Sequence, residues 1–202
     1  RDLHDEMGAK LCRISFLSEH ARRMQDAPPE LQRQITSISD TSREVLYSLD
    51  EIVWAVNPQN DALEHVASYI GHYAQEYFQE TGVECELDIP ARLPAHPFSA
   101  QRRHQLLLAV HEAFTNVLKH SRATRCRVAI VCSATALEII VSDDGAGFDL
   151  SAMESDSTAA AGNGLRNMQK RLTDIGGSCR IRSKSGEGTT IQFILPFEPS
   201  HE

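Results

Sequence analysis

Between Leu31 and Val56 the chain places Leu31, Ile35, Ile38, Ser42, Val45, Leu49, Ile52 and Val56 in alternating steps of four and three. That spacing keeps one seam of an α-helix turned toward a neighbouring helix, so the segment constrains the fold more than any other. A partner helix precedes it. Leu3, Met7, Leu11, Ile14, Leu17, Ala21 and Met24 recur at three- and four-residue intervals and make one helical stripe. Asp26-Ala27-Pro28-Pro29 interrupts the pattern, because proline donates no backbone hydrogen bond and disfavours helical geometry in the residue before it. An antiparallel α-helical hairpin with a tight turn is expected. Each helix of such a hairpin leaves apolar surface uncovered, which either a second copy of the chain or the rest of the same chain could bury. The pattern favours the second copy, a four-helix bundle formed by homodimerisation. Asn57-Pro58-Gln59-Asn60 ends the helical pattern and sets the expected domain boundary, 1–58 before it and 59–202 after it.

Beyond the boundary the periodicity changes repeatedly. A helix over 62–80 stops near Gly82, and residues 83–89 alternate as a strand. Pro90, Pro94 and Pro97 mark a loop, helix returns over 99–120, and strands follow at 126–132 and 137–142. Residues 151–161 hold almost no large apolar side chain and read as a mobile loop. A helix over 165–175 and strands at 178–183 and 189–195 complete an α+β sandwich.

Composition narrows the partners and the compartment. With 202 residues, 41% hydrophobic and 24% charged, a packed globular core is expected. There is no apolar run of the roughly 20 residues that cross a bilayer and no signal-peptide pattern, so a soluble, cytoplasmic location is expected. The chain opens inside a helical pattern without an initiator methionine, as a piece of a longer protein would, and any membrane attachment would come through an upstream region. A net charge of -8 argues against direct nucleic-acid binding. Arg122, Arg125 and Arg127 are read as a solvated edge. Five cysteines without paired metal or dithiol spacing read as free thiols of a reducing compartment.

Val141-Ser142-Asp143-Asp144-Gly145-Ala146-Gly147 ends a β-patterned run with two carboxylates and two glycines. Such a segment is either an ordinary hairpin turn or a site where an aspartate accepts the exocyclic amine of adenine and glycines remove Cβ atoms beside base and ribose. Glu112 and Asn116, four apart, share a helix face. The amide oxygen of Asn116 suits Mg²⁺, and Lys119 could neutralise phosphate charge one turn on; alternatively the face is simply solvated. Gly162-Asn163-Gly164-Leu165 opens a helix whose first N–H groups can hold phosphate oxygens. Gly186-Glu187-Gly188-Thr189-Thr190 enters the last strand.

These motifs in this order resemble the ATP-binding domain of sensor histidine kinases, the Bergerat ATPase fold, over residues 62–197. The resemblance implies that Asn116 binds Mg²⁺, Asp143 binds adenine with Gly145 and Gly147 beside it, and Gly162 and Gly164 lie on the phosphate side of an ATP lid over 150–161. It also implies that Glu112 is the acidic residue one turn before the asparagine, and that Thr189 or Thr190 supports the adenine pocket.

His4 precedes Asp5 and Glu6 on the first helix. A neutral imidazole attacks through one nitrogen, while a carboxylate bound to the other fixes the tautomer and stabilises the developing cation. Asp5 suits that orienting or base role, and Glu6 reads as readily as a solvated residue. Arg1-Asp2-Leu3-His4-Asp5-Glu6-Met7-Gly8 resembles the phosphoacceptor motif of the histidine kinases that pair with LuxR/NarL-type response regulators. In that subfamily a glutamine implicated in partner dephosphorylation often stands where this chain has Ala9. The departure bears on phosphatase activity and leaves kinase chemistry untouched. The expectation is ATP- and Mg²⁺-dependent autophosphorylation of His4 and transfer to a response regulator aspartate. A serine kinase or plain ATPase on the same fold, or a nucleotide-gated scaffold, are the alternatives.

Overall fold

The computed structural model describes residues 2–22, 28–150 and 162–197. The chain divides into two compact units, Arg1–Val56 and Asn57–Glu202. In the first, helix α1 (Asp2–Arg22) packs against helix α2 (Pro29–Val56). Pro29 stands at the first helical position, where its missing N–H costs nothing. The turn expected at 26–29 falls in part on residues outside the described set.

The buried residues described on this unit are small: Ser18, Ser39, Ser42 and Ala55. The heptad seam of α2 is correspondingly split. Leu31, Ile38, Val45 and Ile52, seven residues apart, are 45%, 50%, 38% and 44% exposed, whereas Ile35 and Leu49 are half-buried and Ser42 is buried. On α1, Met7 and Ile14 repeat the same seven-residue exposure.

The second unit holds a five-stranded sheet in the order β1-β2-β3-β5-β4. Its strands are β1 (Glu84–Asp88), β2 (Arg125–Cys132), β3 (Ala136–Asp143), β4 (Ser178–Ser183) and β5 (Thr189–Pro196). Strands β1 and β2 run parallel; the other neighbours are antiparallel. Helices α3 (Leu63–Phe78), α4 (Ala100–Asn116) and α5 (Gly162–Asp174) pack against the sheet, α4 between the other two. The core lies between helices and sheet. Leu106, Val110 and Phe114 of α4, Leu172 of α5 and Ile139, Phe193 and Leu195 of the strands are all buried to within 2%. Alternate burial along β3 and β5 is the period-two signature of a sheet with one covered face. Ser99 caps α4 by accepting the Arg102 N–H at 3.4 Å, and Tyr69, Tyr73 and Tyr77 of α3 stack along one face toward His111 and Phe114.

Candidate nucleotide site

The site is built where α4 and β3 end and β5 begins. Helix α4 closes at Asn116 and continues as one π-helical turn, Val117–Ser121, before Arg122 takes the left-handed conformation at φ 57°. A π turn widens the helix end, and such turns recur at functional sites. Its last residue is firmly held. Ser121 Oγ donates to the Val117 carbonyl at 2.6 Å and accepts the Ala123 N–H at 2.9 Å, while the Ser121 carbonyl accepts the Ala146 N–H at 2.7 Å.

The loop after β3 therefore lies directly against the end of α4, and its glycines answer to that packing. A Cβ on Gly145 would sit 2.3 Å from the Ser121 carbonyl oxygen; one on Gly147, whose φ is 57°, would sit 2.0 Å from the Lys184 carbonyl oxygen. A missing Cβ at both positions is required by the wall of the site, where backbone meets backbone, independently of the room that base and ribose are expected to need. Gly188 closes the same junction from the β4–β5 turn, a Cβ there meeting the Asp143 carbonyl oxygen at 2.0 Å.

Between these walls lies a cavity of about 200 Å³. Ala113, Val117, Val141, Phe148, Leu165 and Ile191 supply apolar walls, and Asn116, His120, Ser121, Asp143 and Thr189 supply polar groups. An apolar slot of that size with a carboxylate in it suits a planar heterocycle rather than a whole nucleotide. Burial raises the Asp143 carboxyl above its ordinary value; the Gly145 and Thr189 N–H groups partly offset this, and the neighbouring Asp144 adds to it. Among the described residues the buried Asn116 Nδ2 has no hydrogen-bond partner. An amide left unengaged at a cavity wall is open to a bound group, and rotation about its last bond presents the oxygen instead.

Asn116, Asp143, Gly147, Leu165 and Thr189, far apart in sequence, thus line one cavity. Gly145 stands behind the wall. Thr190 pairs with Ser142 on the opposite face of β5 from Thr189, and Lys119 is exposed on the π turn; neither lines the cavity. Glu112 points elsewhere than into it. Its carboxylate lies against the first turn of α5, where a Cβ on Gly164 would come within 2.0 Å of Oε1. A carboxylate there complements the helix dipole, a contribution of about 0.3–1 kcal/mol. Gly162 begins α5. The lid expected over 150–161 falls outside the described residues apart from Leu150, and so do the side chains of His4 and Asp5, whose backbone belongs to α1. His120 lines the cavity while remaining exposed. Ser121 and Phe148 carried no sequence signal; Val141 and Ile191 did, standing two residues from Asp143 and Thr189 on their strands.

Residues 101–199 match the family described as Histidine kinase-, DNA gyrase B-, and HSP90-like ATPase, and residues 1–61 match the family described as Histidine kinase. Sensor histidine kinase LnrJ of Bacillus subtilis is 26% identical over 197 residues, covering 95% of this chain and 45% of the relative. Sensor histidine kinase DesK of the same organism is 30% identical over 205 residues, covering 97% and 49%. The chain spans about half the length of these curated relatives. Among solved structures, the histidine kinase domain of the Erythrobacter litoralis EL346 blue-light activated histidine kinase superposes with a TM-score of 0.58 at 15% identity, covering 98% of this chain and 95% of that one. This likeness is one of fold.

Proposed function

The chain belongs to the sensor histidine kinases, and from that premise we propose that it is the catalytic core of one: it uses Mg²⁺ and ATP to phosphorylate His4 and passes the phosphoryl group to an aspartate of a LuxR/NarL-type response regulator. The observation that carries this reading is the apolar cavity that gathers Asn116, Asp143, Gly147, Leu165 and Thr189. Asp143 accepts the adenine amine, and Val117, Val141, Phe148 and Ile191 exclude water from the base. Asn116 holds Mg²⁺ through its amide oxygen, and the metal supplies charge neutralisation on the phosphates when bound. The first N–H groups of α5, from Gly162 to Leu165, face the phosphate side, and Glu112 fixes that helix start against α4. Lys119 adds screened positive charge near the cavity mouth.

At the acceptor, one imidazole nitrogen of His4 attacks the terminal phosphorus, and the bond to the bridging oxygen breaks to release ADP. Asp5 holds the proton on the other ring nitrogen and stabilises the imidazolium. Positioning and charge neutralisation supply most of the acceleration. Two chains pair through the exposed seven-residue rows on α1 and α2, which apolar burial favours covering in a four-helix bundle. Ala9 offers no side-chain amide to orient a water, so any partner-phosphatase activity would need another group to do so. This core works in the cytoplasm.

Incubation with γ-labelled ATP and Mg²⁺, followed by a LuxR/NarL-type receiver domain, tests the reading. The label is expected to enter the wild-type chain, to be absent from Asn116→Ala, and to move to the receiver. Full labelling of Asn116→Ala, or label that no such receiver removes, would contradict it.

A further inference from the structure

The π turn that ends α4 is bonded on both sides by the Ser121 hydroxyl. A π turn runs its N–H groups to carbonyls five residues back rather than four, which takes the Ser121 N–H off the Val117 carbonyl that continued α-helix would give it. The hydroxyl takes that place, donating to the Val117 carbonyl at 2.6 Å, and at the same time accepts the Ala123 N–H at 2.9 Å. Serine hydroxyls that bond back four residues compete with the helix ladder and bend it, so the contact favours the wider turn. Arg122 follows in the left-handed conformation, φ 57° and ψ 29°, and stops the helix. The Ser121 carbonyl meanwhile accepts the Ala146 N–H at 2.7 Å, from the loop that carries Gly145, Gly147 and Phe148. Ser121 is buried, so removing its hydroxyl leaves the Val117 carbonyl and the Ala123 N–H without this partner away from solvent.

The residues that this turn carries belong to the cavity wall: Asn116 immediately before it, and Val117, His120 and Ser121 within it. Restoring the α register would rotate the end of the segment by up to about 100° around the helix axis and displace His120 and Ser121 most. The Ser121 carbonyl would leave the junction with the loop after β3, where a Cβ on Gly145 would already meet its oxygen at 2.3 Å. We infer that Ser121 is a positioning residue for nucleotide binding: its hydroxyl selects the π register at the end of α4 and so sets Asn116 and His120 against the loop that carries Gly147 and Phe148. The single hydroxyl proton is committed to Val117, so Ser121 acts through the turn rather than on the nucleotide. The inference rests on the ATP-binding reading of the cavity for its functional consequence.

Two comparisons that each differ by one hydroxyl, wild type against Ser121→Ala and Ser121→Thr against Ser121→Val, test this in the whole chain. The readouts are affinity for Mg-ADP by calorimetry and nuclear Overhauser contacts across residues 116–122. In the wild type, contacts between residues five apart are expected over the turn. In Ser121→Ala they give way to contacts between residues four apart, the rest of α4 and β3 keeps its amide protection, and the affinity for Mg-ADP falls about tenfold. Ser121→Thr stays closer to wild type than Ser121→Val in both readouts, which a space-filling role would not produce, because the two side chains share one shape. Where these branched side chains prevent folding, the Ser121→Ala comparison decides. Retention of the π register in Ser121→Ala, or an α register with affinity unchanged, would overturn the inference. A wild-type chain that binds no adenine nucleotide would refute the ATP-binding reading instead, and the register comparison would still decide whether the hydroxyl selects the turn.

Discussion

Asp143, the proposed adenine acceptor, is held in the cavity wall at a cost to the fold. Burial pushes its carboxyl up, so the folded chain binds that proton more tightly than the unfolded chain does. The resulting cost to stability is absent below the unfolded carboxyl range, grows as pH rises toward the raised folded value, and is complete above it. Asp143→Asn should therefore raise the melting temperature of the nucleotide-free chain at neutral pH. The same change replaces the charged carboxylate proposed to accept the adenine amine with a neutral amide, one of whose two polar atoms only donates, and should weaken nucleotide binding about 10- to 100-fold, the worth of one hydrogen bond to a charged group. Unchanged affinity by calorimetry would remove Asp143 from the site. Gly147 carries a different constraint: Ala there would need φ 57° and a Cβ 2.0 Å from the Lys184 carbonyl oxygen. Gly147→Ala should destabilise the ATP-binding unit by about 1–3 kcal/mol or more in denaturant unfolding, with nucleotide binding falling alongside. A chain that melts like the wild type would show that the β4–β5 turn yields easily.

Secondary-structure elements were mostly legible because their periods are strong. The seam of α2 and the alternation of β3 and β5 each follow from which face is covered, and the structure moves their ends by only a residue or so. The π turn after Asn116 was not legible, since nothing in Val117-Leu118-Lys119-His120-Ser121 distinguishes it from continued α-helix. That turn is what brings His120 and Ser121 to the cavity, so both escaped sequence reasoning. The role of the glycines was legible only in part. Their need for a missing Cβ is local, but the atoms they avoid lie on other elements, as Lys184 and Ser121 do. Asp144, beside the site, proves to be an element anchor. Its carboxylate accepts the Thr124 and Arg125 N–H groups, each at 2.8 Å, and the Thr124 hydroxyl at 2.9 Å, fixing the entry to β2 and holding its own pKa down to about 2. A depressed carboxyl stabilises the fold above the unfolded value and loses that contribution as pH falls through the folded one. Asp144→Asn should thus flatten the acid limb of the stability curve between about pH 4 and pH 2. It should leave nucleotide affinity within about twofold, because Asp144 does not line the cavity. An unaltered acid limb would mean that the anchor is dispensable.

At the scale of the whole molecule, two units have different physical needs. The ATP-binding unit buries a core between helices and sheet, whereas among its described residues the hairpin buries Ser18, Ser39, Ser42 and Ala55 and leaves Leu31, Ile38, Val45 and Ile52 exposed in one row. Homodimerisation through that row predicts that Ile38→Glu combined with Val45→Glu converts the chain to monomers in light scattering at micromolar concentration, with nucleotide binding retained. A variant pair still dimeric would place the interface elsewhere. No helix among the described residues is long and apolar enough to cross a membrane. The proposed reaction requires a phosphoryl group to pass from nucleotide bound on the second unit to the histidine of α1. Mass mapping at neutral pH of the chain after incubation with ATP and Mg²⁺ tests this most directly: one phosphoryl group on His4 is expected, labile to acid and stable to base, and lost in His4→Gln. Phosphorylation undiminished in His4→Gln, or mapped to a serine, would contradict the account.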